Sequence, residues 1–145
     1  MTPEEKARQK IDQWFSDAGW KVVDRDNYEP NCTAVAIREG LLKGNLEADY
    51  FLFINGKAIG VLEAKREEID PFSDKVCEQA VVYARNIPKI YQTYQKPLPF
   101  IFTSNGKDLY FCDFRKQDSC FKQIMTIPTP HELVKLLLIV FTSPV

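Results

Sequence analysis

Two apolar runs separated by an Asn-Gly dipeptide constrain the fold of this chain more than any other feature of its sequence. The runs extend from Ala48 to Ile54 and from Ala58 to Lys65, and Asn55-Gly56 lies between them. Asn-Gly between such runs is the strongest short-range signal for a β-hairpin. Both runs are apolar at consecutive positions, which is typical of strands that are buried on both faces. The sequence therefore predicts a central hairpin with helices packed on both sides of its sheet.

Capping signals predict three helices around this hairpin. A capping box at Thr2 begins the first helix, which Gly19 ends; Ser73 begins a second, from about Asp74 to Asn86, and Thr129 begins a third. Further strands are expected from Trp20 to Val23, Thr33 to Arg38, Pro99 to Thr103 and Leu109 to Phe114, the last two forming a second hairpin around Asn105-Gly106. The predicted fold class is α/β, with a mixed β-sheet of about five strands flanked by helices.

Length, charge and cysteine usage narrow the possible functions. A chain of 145 residues fits one domain, covering residues 1–145. No apolar run is long enough to span a bilayer and no signal peptide is visible, so we expect a cytoplasmic protein. Four cysteines without a CxxC pair and a single histidine, His131, argue against a zinc site and against histidine-based catalysis. A net charge of −1 argues against a domain that grips DNA tightly by itself.

The candidate chemistry lies at the ends of the central hairpin. Asp49 stands near the start of the first strand, and Glu63 and Lys65 stand at the end of the second. Glu63 and Lys65 are two residues apart on a strand, so they share a face. Such charged residues are often only solvated strand ends, and Asp followed by Glu-x-Lys is a weak pattern alone. The predicted hairpin strengthens the case for a functional site, because it would bring the two carboxylates close together in space.

This trio suits the hydrolysis of a phosphodiester bond. Mg²⁺ prefers hard oxygen ligands, with one or two carboxylates completed by water and phosphate, and Mn²⁺ is a possible substitute. Asp49 and Glu63 supply the carboxylates, and the carbonyl of Ala64 can supply a further oxygen. Lys65 would orient the attacking water and stabilise negative charge on the phosphate.

The shared site makes a geometric demand on the hairpin. A plain two-residue turn at Asn55-Gly56 pairs Ile54 with Lys57, and Asp49 then faces away from Glu63. We therefore predict an odd-length loop at residues 54–57, or an equivalent single bulge within either strand.

At these positions the sequence resembles the PD-(D/E)XK nuclease signature, and most closely the N-terminal nuclease domain of type I restriction enzyme motor (R) subunits. The phrases that carry the resemblance include Ala48-Asp49-Tyr50, Gly60 to Arg66, Gln79 to Ala84 and Pro99 to Gly106. By this resemblance Gln79 and Tyr83, which lie on one face of a helix, contact the DNA backbone and support the lysine. The structural alternative is that Tyr83 belongs to the core and Gln79 fills a polar gap. Glu4 could reach the metal through water, although we favour the alternative that it is a stabilising charge at the helix N-terminus.

The resemblance implies that the chain is an N-terminal fragment of a longer bacterial or archaeal helicase-nuclease. The full protein would use ATP for translocation and would act on double-stranded DNA with methyltransferase and specificity subunits. No phosphate-binding loop is present here, so ATP would bind elsewhere. Two alternatives are a stand-alone PD-(D/E)XK repair or junction nuclease, and a catalytically inactive nuclease-like module that binds DNA or a subunit.

Overall fold

A mixed β-sheet runs through the centre of the protein, with helices on both of its faces. The computed structural model describes residues 1–29, 33–38 and 49–139. The helices are α1 (Pro3–Asp17), α2 (Asp74–Arg85) and α3 (Pro130–Leu137), and Arg25–Asn27 forms a short 3₁₀ turn. The strands are β1 (Lys21–Asp24), β2 (Ala34–Arg38), β3 (Tyr50–Ile54), β4 (Lys57–Ala64), β5 (Gln92–Thr93), β6 (Phe100–Ser104), β7 (Leu109–Asp113) and β8 (Lys122–Ile124). Among these described helices, none is both long and apolar enough to cross a bilayer.

The α/β fold class is confirmed, but the sheet is larger than predicted. Over the described ranges it contains eight strands, in the order β1-β2-β3-β4-β6-β7-β8, with β5 beside β4. Strand β4 runs parallel to β5 and β6, and β1 runs parallel to β2, whereas the other pairs are antiparallel. Strands β5 and β8 were not predicted because they have only two and three residues and lack an apolar run.

The predicted helix starts are confirmed in atomic detail. Thr2 Oγ1 accepts a hydrogen bond of 3.1 Å from the Glu5 amide, and the Glu5 carboxylate accepts one of 3.2 Å from the Thr2 amide. Thr129 and Glu132 form the same reciprocal pair at α3. These caps satisfy amides that would otherwise have no partner in the first turn.

Two hydrophobic cores lie on opposite faces of the sheet. The face under α2 contains Val35, Ile37, Phe51, Phe53, Ala58, Val61, Ala80, Ala84, Ile87, Leu98, Ile101 and Cys112. The face under α1 and α3 contains Ile11, Phe15, Trp20, Ala36, Tyr50, Leu52, Ile59, Leu62, Phe100, Phe102, Leu109, Ile127 and Leu133. Residues of β3 and β4 contribute to both cores, as expected for strands that are buried on both faces.

The β3–β4 hairpin contains the bulge that the sequence predicted. Its turn has two residues, Asn55 at φ 49° and Gly56 at φ 80°, and Ile54 pairs with Lys57. Farther along, Phe53 pairs with Ala58 whereas Leu52 pairs with Gly60, so Ile59 is an extra residue in β4. A single extra residue reverses the facing of every later position in that strand.

Gly60 allows the bulged strand to lie against its parallel neighbour. A Cβ atom at Gly60 would lie 2.9 Å from the Phe100 carbonyl oxygen, which is closer than real Cβ atoms approach. Beyond this point Phe51 pairs with Val61 and Tyr50 with Leu62. The corrected register therefore extends to the start of β3, where the candidate site lies.

Candidate active site

The bulge in β4 places Asp49 and Glu63 on the same face of the sheet. One step beyond the Tyr50–Leu62 pair, Asp49 stands opposite Glu63. Residues that stand opposite each other in an antiparallel pair project side chains to the same face. Lys65 directly follows β4 on that side, and its Nζ lies 2.9 Å from Glu63 Oε1. The structure thus brings together the three residues on which the sequence argument depended.

Asp49 is held from two directions. Its Oδ2 accepts a hydrogen bond of 2.8 Å from the Ala64 amide, and its Oδ1 accepts one of 3.1 Å from Arg8 Nε and a second from Arg8 Nη2. Burial raises the pKa of Asp49, although Arg8, the Ala64 amide and Lys65 act in the opposite direction. The net shift of the Asp49 pKa is upward, because the effect of burial is the largest.

Glu63 is buried, with a side chain that is only 4% exposed. Burial first, and then the charge of Asp49, raise the pKa of Glu63 to about 7, whereas Lys65 and Arg8 lower it. Lys65 pairs with Oε1, but Oε2 is buried without a hydrogen-bond partner among the described residues. A buried oxygen without a partner costs free energy, and such atoms are rare in folded proteins.

Helix α2 brings Tyr83 toward the two carboxylates. Burial raises the pKa of Tyr83 to about 12, and the charges of Glu63 and Asp49 contribute to that rise. One helical turn earlier, Gln79 Oε1 is buried without a hydrogen-bond partner in the described part of the chain. Both residues are partly buried, so Tyr83 also packs against the core, as the structural alternative held.

The segment that follows Lys65 is anchored to the end of β6. We call residues 65–72 the post-lysine segment. The Lys65 amide donates to the Ser104 carbonyl at 2.8 Å, and Thr103 Oγ1 donates to the Pro71 carbonyl at 2.7 Å. Asn105 Nδ2 donates to the carbonyls of Glu67 and Ile69 at 2.9 and 3.1 Å. These bonds fix the backbone that carries the lysine.

Asn105 therefore has a role that the sequence did not reveal. The dipeptide Asn105-Gly106 indicated a hairpin turn, and β6 and β7 do form a hairpin. The connection, however, covers residues 105–108, and Asn105 Oδ1 accepts from the Lys107 and Asp108 amides. Its buried amide nitrogen then reaches the post-lysine segment. No local pattern distinguishes such a residue from an ordinary turn asparagine.

Helix α1 contributes Arg8 to the site rather than Glu4, for which the sequence had favoured a role at the helix N-terminus. Glu4 is exposed in the first turn of α1, where an acidic residue favours the helix N-terminus. Arg8, one turn later, contacts Asp49. A half-buried arginine in an amphipathic helix carries no sequence signal for such a contact, because its partner lies far away along the chain.

The residues at this site fit a hard divalent cation. Glu63 Oε2 is a buried acceptor without a partner, and the neighbouring Asp49 carboxylate raises the cost of a second negative charge. A divalent cation would accept Glu63 Oε2 as a ligand and would offset the repulsion between the two carboxylates. Across the described residues, no group of three or more His, Cys, Asp or Glu side chains gathers as a metal site. Any cation here would therefore depend on two carboxylates together with carbonyl, water or phosphate oxygens.

Comparison with known families decides the wider assignment. The family described as "Type I restriction enzyme R protein N terminus" matches residues 35–119, which is more than half of the chain and includes Asp49, Glu63, Lys65, Gln79 and Tyr83. The chain belongs to this family. The resemblance that the sequence motifs carried is confirmed. No curated protein gives a significant match to the chain.

Solved structures agree with a restriction-endonuclease-like fold for this R-protein N-terminal domain. A fragment assigned to the HsdR subunit of a type I restriction enzyme from Vibrio vulnificus YJ016 superposes with a TM-score of 0.61 at 22% identity, covering 94% of this chain and 25% of that chain. The type IIG restriction endonuclease BpuSI superposes with a TM-score of 0.51 at 20% identity, covering 76% of this chain and 11% of that chain. The chain thus spans a quarter or less of the length of either relative.

Proposed function

We propose that this R-protein N-terminal domain is the cleavage module of a type I restriction enzyme R subunit and hydrolyses DNA phosphodiester bonds with Mg²⁺. The observation that carries the proposal is the meeting of Asp49, Glu63 and Lys65 at one end of β4. That meeting depends on the extra residue Ile59, because a hairpin without it would turn Asp49 away from Glu63.

Each residue of the site has a defined task in this proposal. Asp49, Glu63 and the carbonyl of Ala64 would hold Mg²⁺, with Mn²⁺ as a substitute. The bound cation would lower the pKa of a water ligand and stabilise charge on the phosphate oxygens. Lys65, held beside Glu63 by the 2.9 Å ion pair, would orient the attacking water and stabilise negative charge on the scissile phosphate.

Helix α2 completes the proposed site. Tyr83 lies close enough to Glu63 and Asp49 for their charges to raise the pKa of its hydroxyl group. Gln79 presents a buried side-chain oxygen without a hydrogen-bond partner in the described chain. We assign both residues to the DNA backbone beside the scissile phosphate and to the support of Lys65.

The wider assignment concerns the full-length protein. In the type I restriction context, a motor region outside this chain would use ATP, and the assembly would act on double-stranded DNA with methyltransferase and specificity subunits. A net charge of −1 supports this division of labour, because a domain with no excess of basic residues gains little affinity from phosphate contacts. We therefore expect other parts of the assembly to hold the DNA on this domain.

Two alternatives predict different results from the same measurements. A stand-alone PD-(D/E)XK repair or junction nuclease would cleave its DNA without ATP or further subunits. An inactive nuclease-like module that binds DNA or a subunit would show no cleavage that depends on Asp49, Glu63 or Lys65. Membership of the R-protein family favours the first proposal over the stand-alone nuclease.

The metal site is tested by calorimetric titration of the chain with MnCl₂ and MgCl₂. Asp49→Asn and Glu63→Gln should each abolish measurable binding, because one carboxylate cannot hold a hard divalent ion at this site. Glu68→Gln is the matched control, since Glu68 lies in the post-lysine segment and its side chain is 69% exposed. Unchanged affinity in both site variants would refute the assignment.

The catalytic role is tested in the full-length enzyme with supercoiled plasmid. Lys65→Ala should keep the fold and metal binding but lower cleavage by about 100-fold or more, because it removes charge stabilisation of the phosphate. Lys57→Ala, an exposed lysine at the turn of the same hairpin, should leave cleavage unchanged. ATP hydrolysis should survive in both variants. Cleavage at the normal rate by Lys65→Ala would exclude the proposed role.

A further inference from the structure

Arg8 and Asp49 form a contact that the proposed reaction does not use. Asp49 Oδ1 accepts hydrogen bonds from both Nε and Nη2 of Arg8, while Oδ2 accepts from the Ala64 amide. Both oxygens of this carboxylate are therefore engaged. Glu63 differs, because its Oε2 is buried without a hydrogen-bond partner among the described residues.

We propose that Arg8 takes the place of a divalent cation on Asp49 and competes with the metal for that carboxylate. The inference rests on the proposed function, since it presupposes that Asp49 is a metal ligand. Arg8 would then be a positioning residue: it would hold Asp49 in place before the metal arrives and would set how tightly the metal binds.

The count of acceptor positions supports this competition. A carboxylate oxygen offers about two acceptor positions, and the two bonds from Arg8 fill both positions of Asp49 Oδ1. A metal ligated by Oδ1 must therefore replace an N–H of Arg8. A metal ligated by Oδ2 alone would face the guanidinium across the same carboxylate, and the two positive charges would repel. Arg8 opposes metal binding in either geometry.

The burial of Asp49 explains why this carboxylate needs a positively charged partner, here Arg8, when no metal is bound. Its side chain is only 12% exposed, and a buried carboxylate without a partner would take up a proton or destabilise the fold. The hydrogen bonds from Arg8 give this buried carboxylate a partner and hold its orientation while no metal is bound. The same contact must then be broken, wholly or in part, before the carboxylate can serve as a metal ligand.

The structure offers a place for Arg8 after it leaves Asp49. Its side chain is 36% exposed and borders a cleft of about 500 Å³ along α1. Glu5 and Asp12 line the same cleft, and they lie three residues before and four residues after Arg8 on the helix. Residues with these spacings are neighbours on a helix surface. A displaced guanidinium would therefore remain close to two carboxylates.

Arg38 provides a matched control within the same cleft. Its side chain is 37% exposed, nearly the same as the 36% of Arg8, and it forms ion pairs with two carboxylates. Its partners are Asp12 and Asp24 rather than Asp49. Removing Arg38 thus removes an equivalent charge from the cleft without freeing the proposed metal ligand.

The test is calorimetric titration with MnCl₂ of the chain and of its Arg8→Gln and Arg38→Gln variants at one pH and ionic strength. Arg8→Gln should tighten Mn²⁺ binding about tenfold, the size of effect expected when a neighbouring opposite charge is removed from a carboxylate. Arg38→Gln should stay within about twofold of the unmodified chain. Arginines with a purely structural role would give weaker or unchanged binding when replaced.

A second measurement does not depend on the variants. In the unmodified ¹⁵N-labelled chain, the Nε–H resonance of Arg8 should move toward that of an exposed arginine as MgCl₂ is added, while that of Arg38 should not. Unchanged or weaker Mn²⁺ binding by Arg8→Gln would overturn the inference. An Arg8 Nε–H resonance that does not shift when Mg²⁺ binds would also overturn it. If the unmodified chain and Arg8→Gln both fail to bind metal, the proposed function itself fails.

Discussion

The β3–β4 and β6–β7 hairpins lie side by side in the sheet, and between them they hold every buried polar residue of the described chain. The β6–β7 hairpin carries Thr103, Ser104, Asn105 and Asp113, whereas the β3–β4 hairpin carries only Glu63. The four residues of the β6–β7 hairpin all have hydrogen-bond partners. Of these five buried polar residues, only Glu63 keeps a side-chain oxygen without a hydrogen-bond partner in the described part of the chain.

This difference in hydrogen bonding suggests that the two hairpins have different roles, one in supporting the backbone and the other in binding a ligand. A fully bonded set of buried polar groups rigidifies the backbone around it, and here it anchors the post-lysine segment. An unsatisfied buried carboxylate destabilises the fold unless a ligand completes it. We infer that the β6–β7 hairpin makes the surrounding backbone rigid. The β3–β4 hairpin instead carries a buried carboxylate that lowers the stability of the fold until a ligand binds to it. The two hairpins also contain the same Asn-Gly dipeptide, so matched substitutions can test this contrast.

The largest effect is expected from Gly106→Ala. Gly106 has a φ of 80°, and a Cβ atom there would lie 2.9 Å from Ala7 Cα in α1. Backbone strain and the clash with α1 together should lower the free energy of unfolding by about 3–4 kcal/mol. Gly56→Ala, at the same φ in the exposed turn of the other hairpin, should cost only about 1–2 kcal/mol. Urea denaturation of the two variants measures the difference, and equal losses would contradict a tight contact with α1.

The next largest effect is expected from Asn105→Ala. The variant leaves the carbonyls of Glu67 and Ile69 and two amides of the 105–108 connection without partners. We expect a loss of about 2–3 kcal/mol in the free energy of unfolding. Amide hydrogen exchange of residues 66–70 should also accelerate while exchange in β3 stays slow. Exchange that rises uniformly across the sheet would argue against a specific anchor.

Glu63→Gln should raise the free energy of unfolding, whereas the two substitutions above should lower it. The pKa of Glu63 is raised from its ordinary value of 4.5 to about 7 in the folded chain. Between pH 4.5 and pH 7, the folded chain therefore binds a proton that the unfolded chain has released. Stability therefore falls as pH rises from 4.5 to 7, and the penalty persists above pH 7. Removing the carboxylate should stabilise the metal-free domain by about 1–2 kcal/mol at pH 8, with little effect at pH 4.5.

The measurement is urea denaturation in EDTA at both pH values. Glu68→Gln, which replaces an exposed glutamate, should shift stability by no more than about 0.5 kcal/mol at either pH. A Glu63→Gln variant that is less stable than the unmodified chain at pH 8 would show that the ion pair with Lys65 outweighs the burial of the carboxylate.

Local signals predicted the parts of the fold that local physics determines. The caps at Thr2, Ser73 and Thr129 are as expected, and the three helices begin where these residues predict. Two short strands escaped prediction because tertiary pairing, rather than their own residues, makes β5 and β8. The start of the predicted strand at Ala48 lies outside the described residues.

The site was predictable only in part, and for a physical reason. Chemistry required an odd residue in the hairpin, but nothing in the sequence chose between the turn and a position inside a strand. The structure places it at Ile59, where Gly60 lets β4 approach β6. The roles of Arg8 and Asn105 depend on partners that are distant along the chain, so no spacing rule could identify them.

The smallest effect is expected from Asn55→Ala. Asn55 is exposed, has a φ of 49° and donates its amide to the Thr33 carbonyl, a bond that alanine retains. Alanine tolerates a positive φ less well than asparagine, so the free energy of unfolding should fall by only about 0.5–1 kcal/mol. Because the extra residue Ile59, rather than the turn, sets which side chains face each other, Mn²⁺ affinity should not change. Asn55→Gly serves as the control, since glycine adopts this conformation freely and should be nearly neutral. A folded Asn55→Ala variant that loses Mn²⁺ binding would show that the turn, and not the bulge, aligns Asp49 with Glu63.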